Sequence, residues 1–156
     1  MSANLTDVAR CSDETVARAR GELVAAVRQA AAQGVTQAQI AREIGRSQPE
    51  VSRLVRFHGT SELALRLRHN RSQLKRLIRR AGGSKLRVFG SVATSTDHDG
   101  SDVDLLFTMG KPLSLMQLGG LERDLEAILG VQVDLLPDSA LRPDLRDRIV
   151  AEAVPL

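Results

Sequence analysis

The chain has 156 residues, 42% of them hydrophobic and 26% charged, a balance typical of a soluble folded protein with one ordinary domain or two small ones. No apolar run approaches the roughly 20 residues that span a bilayer, and the N-terminus lacks the apolar core of a signal peptide, so we expect a cytoplasmic protein without a membrane partner. One cysteine excludes an internal disulfide. Three Phe, no Trp and no Tyr argue against stacking of single-stranded bases on aromatic side chains.

Charge divides the chain into two unlike parts. Residues 1–80 carry 15 Lys and Arg against 7 Asp and Glu, whereas residues 81–156 carry 7 against 12. The basic part favours a polyanionic partner such as nucleic acid, and the acidic part favours bound cations. Solvated charged faces on both parts would give the same totals, so the motifs must decide between these interpretations.

Four segments before residue 82 are predicted to be helices. The first covers residues 13–33. The next two, "TQAQIAREI" and "SQPEVSRLVRF", begin at Thr36 and Ser47, and each has Gln or Glu three residues later, which is the capping-box pattern. A long basic helix then runs from Ser61 to about Arg80 and ends at a Gly-Gly pair.

The second and third helices have the composition of a DNA-reading pair. Ala41 is small enough for the helices to cross closely, and a glycine between them permits a sharp turn. The third helix directs polar side chains away from its apolar face, and Gln and Arg can bind base edges while Ser can bind phosphate. The residues predicted to contact DNA are Ser47, Gln48, Ser52, Arg53 and Arg56.

The segment from Thr36 to Phe57 resembles the Xre/Cro-type helix-turn-helix family, with residues 13–33 as a supporting helix. The resemblance implies binding to operator DNA, and an inverted repeat would be bound by a homodimer. The alternative is a helical hairpin that serves only packing or dimerisation. Glu50 in the reading helix is unfavourable for tight phosphate contact, although it also serves the cap.

After the Gly-Gly pair the pattern alternates between strands and helices. The predicted strands are "KLRVFG", "DVDLLFTM" and "VQVDLL", and the predicted helices are "LSLMQLGGLERDLEAILG" and a segment that begins at Pro143. We therefore predict an α+β fold with the domain boundary near residues 57–62. An all-α helix-turn-helix domain over residues 1–60 precedes an αβαβαβα domain over residues 61–156, built on a mixed sheet of three or slightly more strands.

Three aspartates of the predicted strands are candidates for a metal site. Asp102 and Asp104 are two residues apart, so a strand places both on one side, where their like charges repel. Asp134 follows the apolar run "VQV" and would converge with them if its strand is a neighbour. Hard carboxylate oxygens suit Mg²⁺ or Mn²⁺, and three carboxylates can hold two ions. The alternative is that these aspartates only solvate strand ends.

The pair Gly90-Ser91 lies ten residues before the aspartates, at the end of a predicted strand. A glycine there lets backbone N–H groups approach a phosphate closely, and the Ser hydroxyl adds a donor. Neither residue would be informative alone. Their spacing to the Asp-x-Asp pair is what makes a phosphate site the preferred interpretation.

These motifs resemble the nucleotidyltransferase superfamily typified by DNA polymerase β, in its minimal form, over the whole second predicted domain. The resemblance implies that Gly90 and Ser91 hold the phosphates of ATP. It also implies that Asp102 and Asp104 bind the metal, and that Asp134 joins them and helps to activate the attacking hydroxyl. The expected reaction is transfer of a nucleotide, with release of pyrophosphate.

Minimal members of this superfamily resemble antitoxins of toxin–antitoxin pairs. The implied function is transfer of AMP from ATP to a tyrosine of a HEPN-type RNase toxin, by an antitoxin that also represses its own operon. One alternative is a DNA-binding repressor or antitoxin whose nucleotidyltransferase domain is inactive and neutralises its partner by binding. Another is a nucleotidyltransferase that modifies small molecules, but the chain is short for an acceptor pocket.

The turn after Gly90-Ser91 departs from the superfamily pattern. Minimal members commonly continue with Ala-Arg-Gly, whereas residues 92–95 here read Val-Ala-Thr-Ser. A cation that stabilises the transferring phosphate is therefore missing from the turn. We expect slow transfer in the absence of the partner, and Lys85 and Arg87 are candidates for the substitute charge.

Overall fold

The computed structural model describes residues 4–156. In that part of the chain the first four helices are α1 (Leu5–Ala32), α2 (Gln37–Ile44), α3 (Gln48–Val55) and α4 (Glu62–Arg80). The prediction of four helices is confirmed, but α1 begins eight residues earlier than expected. Its first turn is capped by the side chain of Asn4, which accepts a hydrogen bond from the amide of Thr6.

The two capping boxes form as the sequence predicts. Thr36 and Gln39 cap α2, and Ser47 and Glu50 cap α3, each pair with reciprocal side-chain and backbone hydrogen bonds. The connection between the helices turns at Gly45, whose φ of 65° is the left-handed conformation that glycine adopts without strain. Helices α1, α2 and α3 share one small apolar core, formed by the buried residues Val27, Ile40, Ala41 and Val51.

The rest of the chain builds one mixed sheet of four strands, ordered β3-β2-β1-β4. The strands are β1 (Gly83–Phe89), β2 (Val103–Met109), β3 (Val133–Pro137) and β4 (Val154–Pro155). Strand β1 pairs antiparallel with β2 and β4, whereas β2 and β3 are parallel. The fourth strand extends the predicted αβαβαβα order, because the chain returns to the edge of β1 after its last helix.

Three helices accompany these strands: α5 (Gly90–Thr94), α6 (Leu115–Leu129) and α7 (Pro143–Glu152). One face of the sheet packs on α4 and α6 and forms the main apolar core. The opposite face carries a smaller cluster in which Leu106 of β2 and Phe89 of β1 contact Ile149 of α7. Alternation along β2 therefore sends odd-numbered residues into the main core and even-numbered residues toward α7.

The contacts of helix α1 are not confined to the helical region before residue 60. It packs against α2 and α3, and it also packs against α5 and α7 of the second part of the chain. The division at residue 60 stays a prediction, and α1 bridges it. In the described part of the chain, no helix combines the length and the apolar character needed to cross a membrane.

Candidate active site

The predicted phosphate turn joins β1 directly to the short helix α5. Gly90 has a φ of 72°, and a Cβ at this position would lie 2.1 Å from Oδ2 of Asp104. Two independent constraints therefore require glycine here: the left-handed backbone and the close approach of a carboxylate. The structure thus brings the predicted glycine of the turn against the second predicted aspartate.

The register of the sheet brings two of the predicted aspartates side by side. Asp104 of β2 is the direct partner of Asp134 in the parallel strand β3, so both side chains lie on the same face. Asp102 comes just before β2 and is exposed, as is Asp134, whereas Asp104 is half-buried. All three aspartates belong to the end of the sheet where β1 gives way to the Gly90 turn.

The electrostatics of Asp104 reflect this crowding of carboxylates. Burial, together with the negative charges of Asp134, Asp102 and Glu152, raises the pKa of Asp104 to about 6. A raised carboxyl pKa is expected where like charges share a site. A bound dication would reverse the effect by favouring the charged form.

The donor chemistry of the site fits a hard divalent cation. Carboxylate oxygens are the ligands that Mg²⁺ and Mn²⁺ prefer, and mutual repulsion gives the cluster a reason to bind positive charge. Among residues 4–156, however, no three His, Cys, Asp or Glu side chains lie close enough together to hold a metal ion as they stand. The side chains of Asp102 and Asp134 are exposed and would have to converge on an ion carried in with the nucleotide.

Glu152, the last residue of α7, is a member of the site that sequence analysis missed. Its Oε1 accepts a hydrogen bond of 2.6 Å from the N–H of Gly90. Burial raises the pKa of Glu152, while the Gly90 hydrogen bond and the charges of Arg148 and Arg28 oppose the rise. No local pattern distinguishes this glutamate from others on exposed helices; only the docking of α7 on the turn reveals it.

A cavity of about 1130 Å³ lies between α1, the Gly90 turn and α7. Gly90, Ser91, Thr94 and Thr96 line one side, and the three aspartates are not part of the lining. Pockets for small ligands and cofactors typically have volumes of roughly 300–1,000 Å³, so the space is ample for a nucleoside triphosphate. The cavity meets the carboxylate cluster at Glu152, which lines it and also raises the pKa of Asp104.

The cations near the turn are not those that the sequence suggested. Arg87 forms an ion pair of 3.2 Å with Asp138, and Lys85 lies five residues before Gly90 and lines a separate pocket. The expectation that they replace the missing arginine is therefore wrong. Arg18 of α1 and Arg148 of α7 line the main cavity instead, and neither forms an ion pair within the described residues.

The predicted DNA-contacting residues all lie on or next to α3. Gln48, Arg53 and Arg56 are exposed, and Ser52 is half-buried. The hydroxyl of Ser47 is already engaged, because it donates to Oε2 of Glu50 at 2.7 Å and accepts from the Glu50 amide. Of the predicted set, the two arginines and the glutamine are therefore the side chains free to reach a ligand.

Comparison with known families decides the identity of the second part of the chain. The profile of the nucleotidyltransferase domain family matches residues 71–156, more than half of the chain. The chain belongs to the nucleotidyltransferase domain family. The match begins within α4 and includes the Gly90 turn, the three aspartates and Glu152.

Two curated relatives of this nucleotidyltransferase domain are named for protein substrates. A Methanocaldococcus jannaschii protein, provisionally named a protein adenylyltransferase, is 36% identical over 89 residues, which are 54% of this chain and 96% of the relative. The protein adenylyltransferase MntA of Thermococcus cleftensis is 36% identical over 80 residues, 51% of this chain and 81% of the relative.

Two solved structures share the fold. One, described provisionally as a minimal nucleotidyltransferase, is 37% identical with a TM-score of 0.55 and covers 62% of this chain and 98% of its own. The other comes from a crystal structure of a toxin–antitoxin with AMP-PNP, is 23% identical with a TM-score of 0.51, and covers 55% of this chain and 71% of its own. At that identity the second likeness concerns the fold alone.

Proposed function

We propose that the chain is a Mg²⁺- or Mn²⁺-dependent protein adenylyltransferase that uses ATP. The observation that carries the proposal is the pairing of Asp104 with Asp134 directly against Gly90, at the end of a nucleotidyltransferase sheet. Protein substrates are favoured because two relatives with matches of about half of this chain are named for them.

Each residue of the site has a proposed part in the transfer. Gly90 and Ser91 hold the phosphates of ATP with backbone and hydroxyl donors, and Asp102, Asp104 and Asp134 hold the metal. The bound metal would neutralise phosphate charge and orient the triphosphate. The acceptor hydroxyl oxygen bonds to the α-phosphorus, the bond from that phosphorus to the bridging oxygen breaks, and pyrophosphate leaves. Asp134 takes the hydroxyl proton.

We further propose that the chain is an antitoxin whose acceptor is a tyrosine of a HEPN-type RNase toxin. The nucleotidyltransferase part is short, so an acceptor protein would bring its own recognition surface. Helices α2 and α3 would repress the operon by binding operator DNA, with Gln48, Arg53 and Arg56 as the reading side chains. The exposure of these side chains on or next to α3, and the packing of α3 on α1 and α2, support this role.

The test is transfer to the protein encoded next to this chain. The two proteins are incubated with ATP labelled on the α-phosphate and Mg²⁺, and the partner is examined for added AMP by label and by mass. Asp134→Asn should abolish labelling, whereas Asp124→Asn, the same change at an exposed position of α6, should not. If the Asp134→Asn variant still labelled the partner, the role of Asp134 as proton acceptor would be wrong.

A binding-only antitoxin is the second candidate, and two observations favour it. The turn lacks the arginine of minimal members, and the Gly90 amide that would face a phosphate is already bonded to Glu152. A stable complex in which the partner is silenced, with no label transferred in Mg²⁺ or Mn²⁺, would establish this function in place of transfer.

A further inference from the structure

Two arginines of α1 bind the carboxyl end of α5, the short helix that begins at Gly90. Nε of Arg20 donates to the carbonyl of Thr94 at 2.8 Å, and Nη2 of Arg28 donates to the carbonyl of Ala93 at 3.0 Å. The last carbonyls of a helix have no partner within the helix, and cationic donors are favourable there. The N-terminal helix therefore supplies hydrogen-bond donors to the last carbonyls of the turn that the proposed function assigns to phosphate binding.

Arg28 donates hydrogen bonds to three backbone carbonyls, each in a different segment of the chain. Its side chain is buried, and its guanidinium also donates to the carbonyl of Leu54 in α3 at 2.8 Å and to the carbonyl of Glu152. Burial lowers the pKa of Arg28 to about 10, and the charge of Glu152 opposes that shift, so the group stays protonated at neutral pH. A planar group with five donors can bind three separate carbonyls at once, which an ammonium cannot reproduce in the same geometry.

The contact with Glu152 extends the reach of Arg28 to the other end of the turn. The Glu152 carbonyl accepts from Arg28, and the Glu152 carboxylate accepts from the N–H of Gly90 at 2.6 Å. Arg28 thus acts directly on Ala93 at the end of α5 and through Glu152 on Gly90 at its start. Between these points lies the whole segment "GSVA", including both predicted phosphate-binding residues.

We propose that Arg28 is a positioning residue of the nucleotide site, so that α1 is a working part of the nucleotidyltransferase as well as a support for α3. The inference rests on the proposed nucleotide site. Arg28 lies far before residue 71, where the family match begins, so a residue outside that match would hold the turn in its conformation. Loss of the guanidinium should loosen residues 90–94 more than the rest of the molecule.

The experiment measures the turn in the full-length chain in two ways. Backbone hydrogen exchange of residues 90–94 is followed without ligand, and binding of AMP-PNP with Mg²⁺ is followed by titration calorimetry. Because a lost hydrogen bond to a charged group typically changes an equilibrium by about tenfold or more, Arg28→Lys should speed exchange of the turn and weaken AMP-PNP binding by about tenfold. Arg10→Lys, an exposed position on the same helix, should leave both unchanged.

Glu152 supplies a second pair of variants in case Arg28→Lys fails to fold. Glu152→Gln keeps an oxygen that accepts from Gly90 and should keep exchange of the turn within about threefold of wild type, whereas Glu152→Ala should speed that exchange as Arg28→Lys does. Unchanged exchange of the turn in Arg28→Lys and Glu152→Ala would overturn the proposal. Exchange that rises equally throughout the chain would also overturn it, since it indicates a general stabilising role.

Failure of the proposed function gives a different result. If the wild-type chain does not bind AMP-PNP with Mg²⁺, the nucleotide site is wrong. The exchange measurement still decides whether Arg28 holds the turn, because it needs no ligand.

Discussion

Gly90 packs so closely on the Asp104 side chain that no residue with a Cβ fits at position 90. A Cβ on Gly90 would lie 2.1 Å from Oδ2, 3.0 Å from Cγ and 3.3 Å from Cβ of the aspartate. Strand β1 places Phe89 opposite Asp104, and the chain then turns at Gly90 over the carboxylate. The phosphate turn and the carboxylate cluster are therefore one unit, in which moving either residue displaces the other.

Substitution of Gly90 should show this dependence. Gly90→Ala must both adopt a φ of 72° and push the Asp104 carboxylate aside, and we expect a loss of stability of about 2–4 kcal/mol together with loss of AMP-PNP binding. The matched control is Gly100→Ala, where φ is 87° but a Cβ would meet nothing within 4 Å. Denaturant unfolding of both variants separates backbone strain from the clash. Equal losses of stability in Gly90→Ala and Gly100→Ala would show that the close approach of Asp104 to position 90 does not destabilise the variant.

The raised pKa of Asp104 predicts how the stability of the metal-free protein depends on pH. The folded protein holds the Asp104 proton up to about pH 6, whereas the unfolded chain releases it near its ordinary value of 3.8. Because the folded state binds the proton more tightly, stability falls as pH rises from about 4 to about 6. Discounted for partial exposure, the loss is about 1–2 kcal/mol.

Asp104→Asn should remove that fall and be more stable than wild type at pH 7 in the presence of EDTA. The measurement is the free energy of unfolding in denaturant at a series of pH values. Asp124→Asn, at an exposed position, should follow the wild-type curve. If the free energy of unfolding changed by the same amount in wild type and in Asp104→Asn between about pH 4 and pH 6, the raised pKa of Asp104 would be contradicted.

Nucleotide binding should depend on a divalent cation. Without Mg²⁺ or Mn²⁺ the triphosphate would approach three aspartates and Glu152, and like charges repel it. We expect AMP-PNP affinity to fall by about tenfold or more when EDTA replaces Mg²⁺, and Asp102→Asn to reduce the metal-dependent part. Since Asp102 is exposed, that variant should stay within about 0.5 kcal/mol of wild-type stability. Equal affinity with and without metal would exclude the carboxylates as metal ligands.

Operator recognition should depend on Arg53. If Arg53 reads a guanine, Arg53→Ala should weaken binding to the promoter of its own operon by about 1–3 kcal/mol and leave binding to random duplex nearly unchanged. Arg76→Ala, an exposed arginine on α4, is the control of equal charge. Competition binding at two salt concentrations distinguishes a base contact from a phosphate contact, which would weaken all duplexes alike and flatten the salt dependence. No preference for the promoter over random duplex in the wild-type chain would reject the repressor role.

Local chemistry in the sequence was sufficient for most helices and strands. Thr36 and Ser47 mark helix starts because a side-chain oxygen and a partner three residues on satisfy free amides within one turn. The alternation of Asp102 and Asp104 with apolar residues identifies both the strand and the face that carries the carboxylates. These signals involve neighbours in sequence, so no tertiary information was needed.

Tertiary structure alone decided how the site is assembled. Strand β4 has two residues, too few for any periodicity, and exists because the chain after α7 pairs with Arg87 and Val88 of β1. Glu152 and Arg28 look like ordinary charged residues of exposed helices. Packing of α7 and α1 on the turn nevertheless half-buries Glu152 and buries Arg28 against backbone groups that lack local partners. The sequence determined which groups can bind a phosphate and a cation. Long-range packing decided which residues hold those groups in place, because folding buries apolar surface and unpaired carbonyls need hydrogen-bond donors.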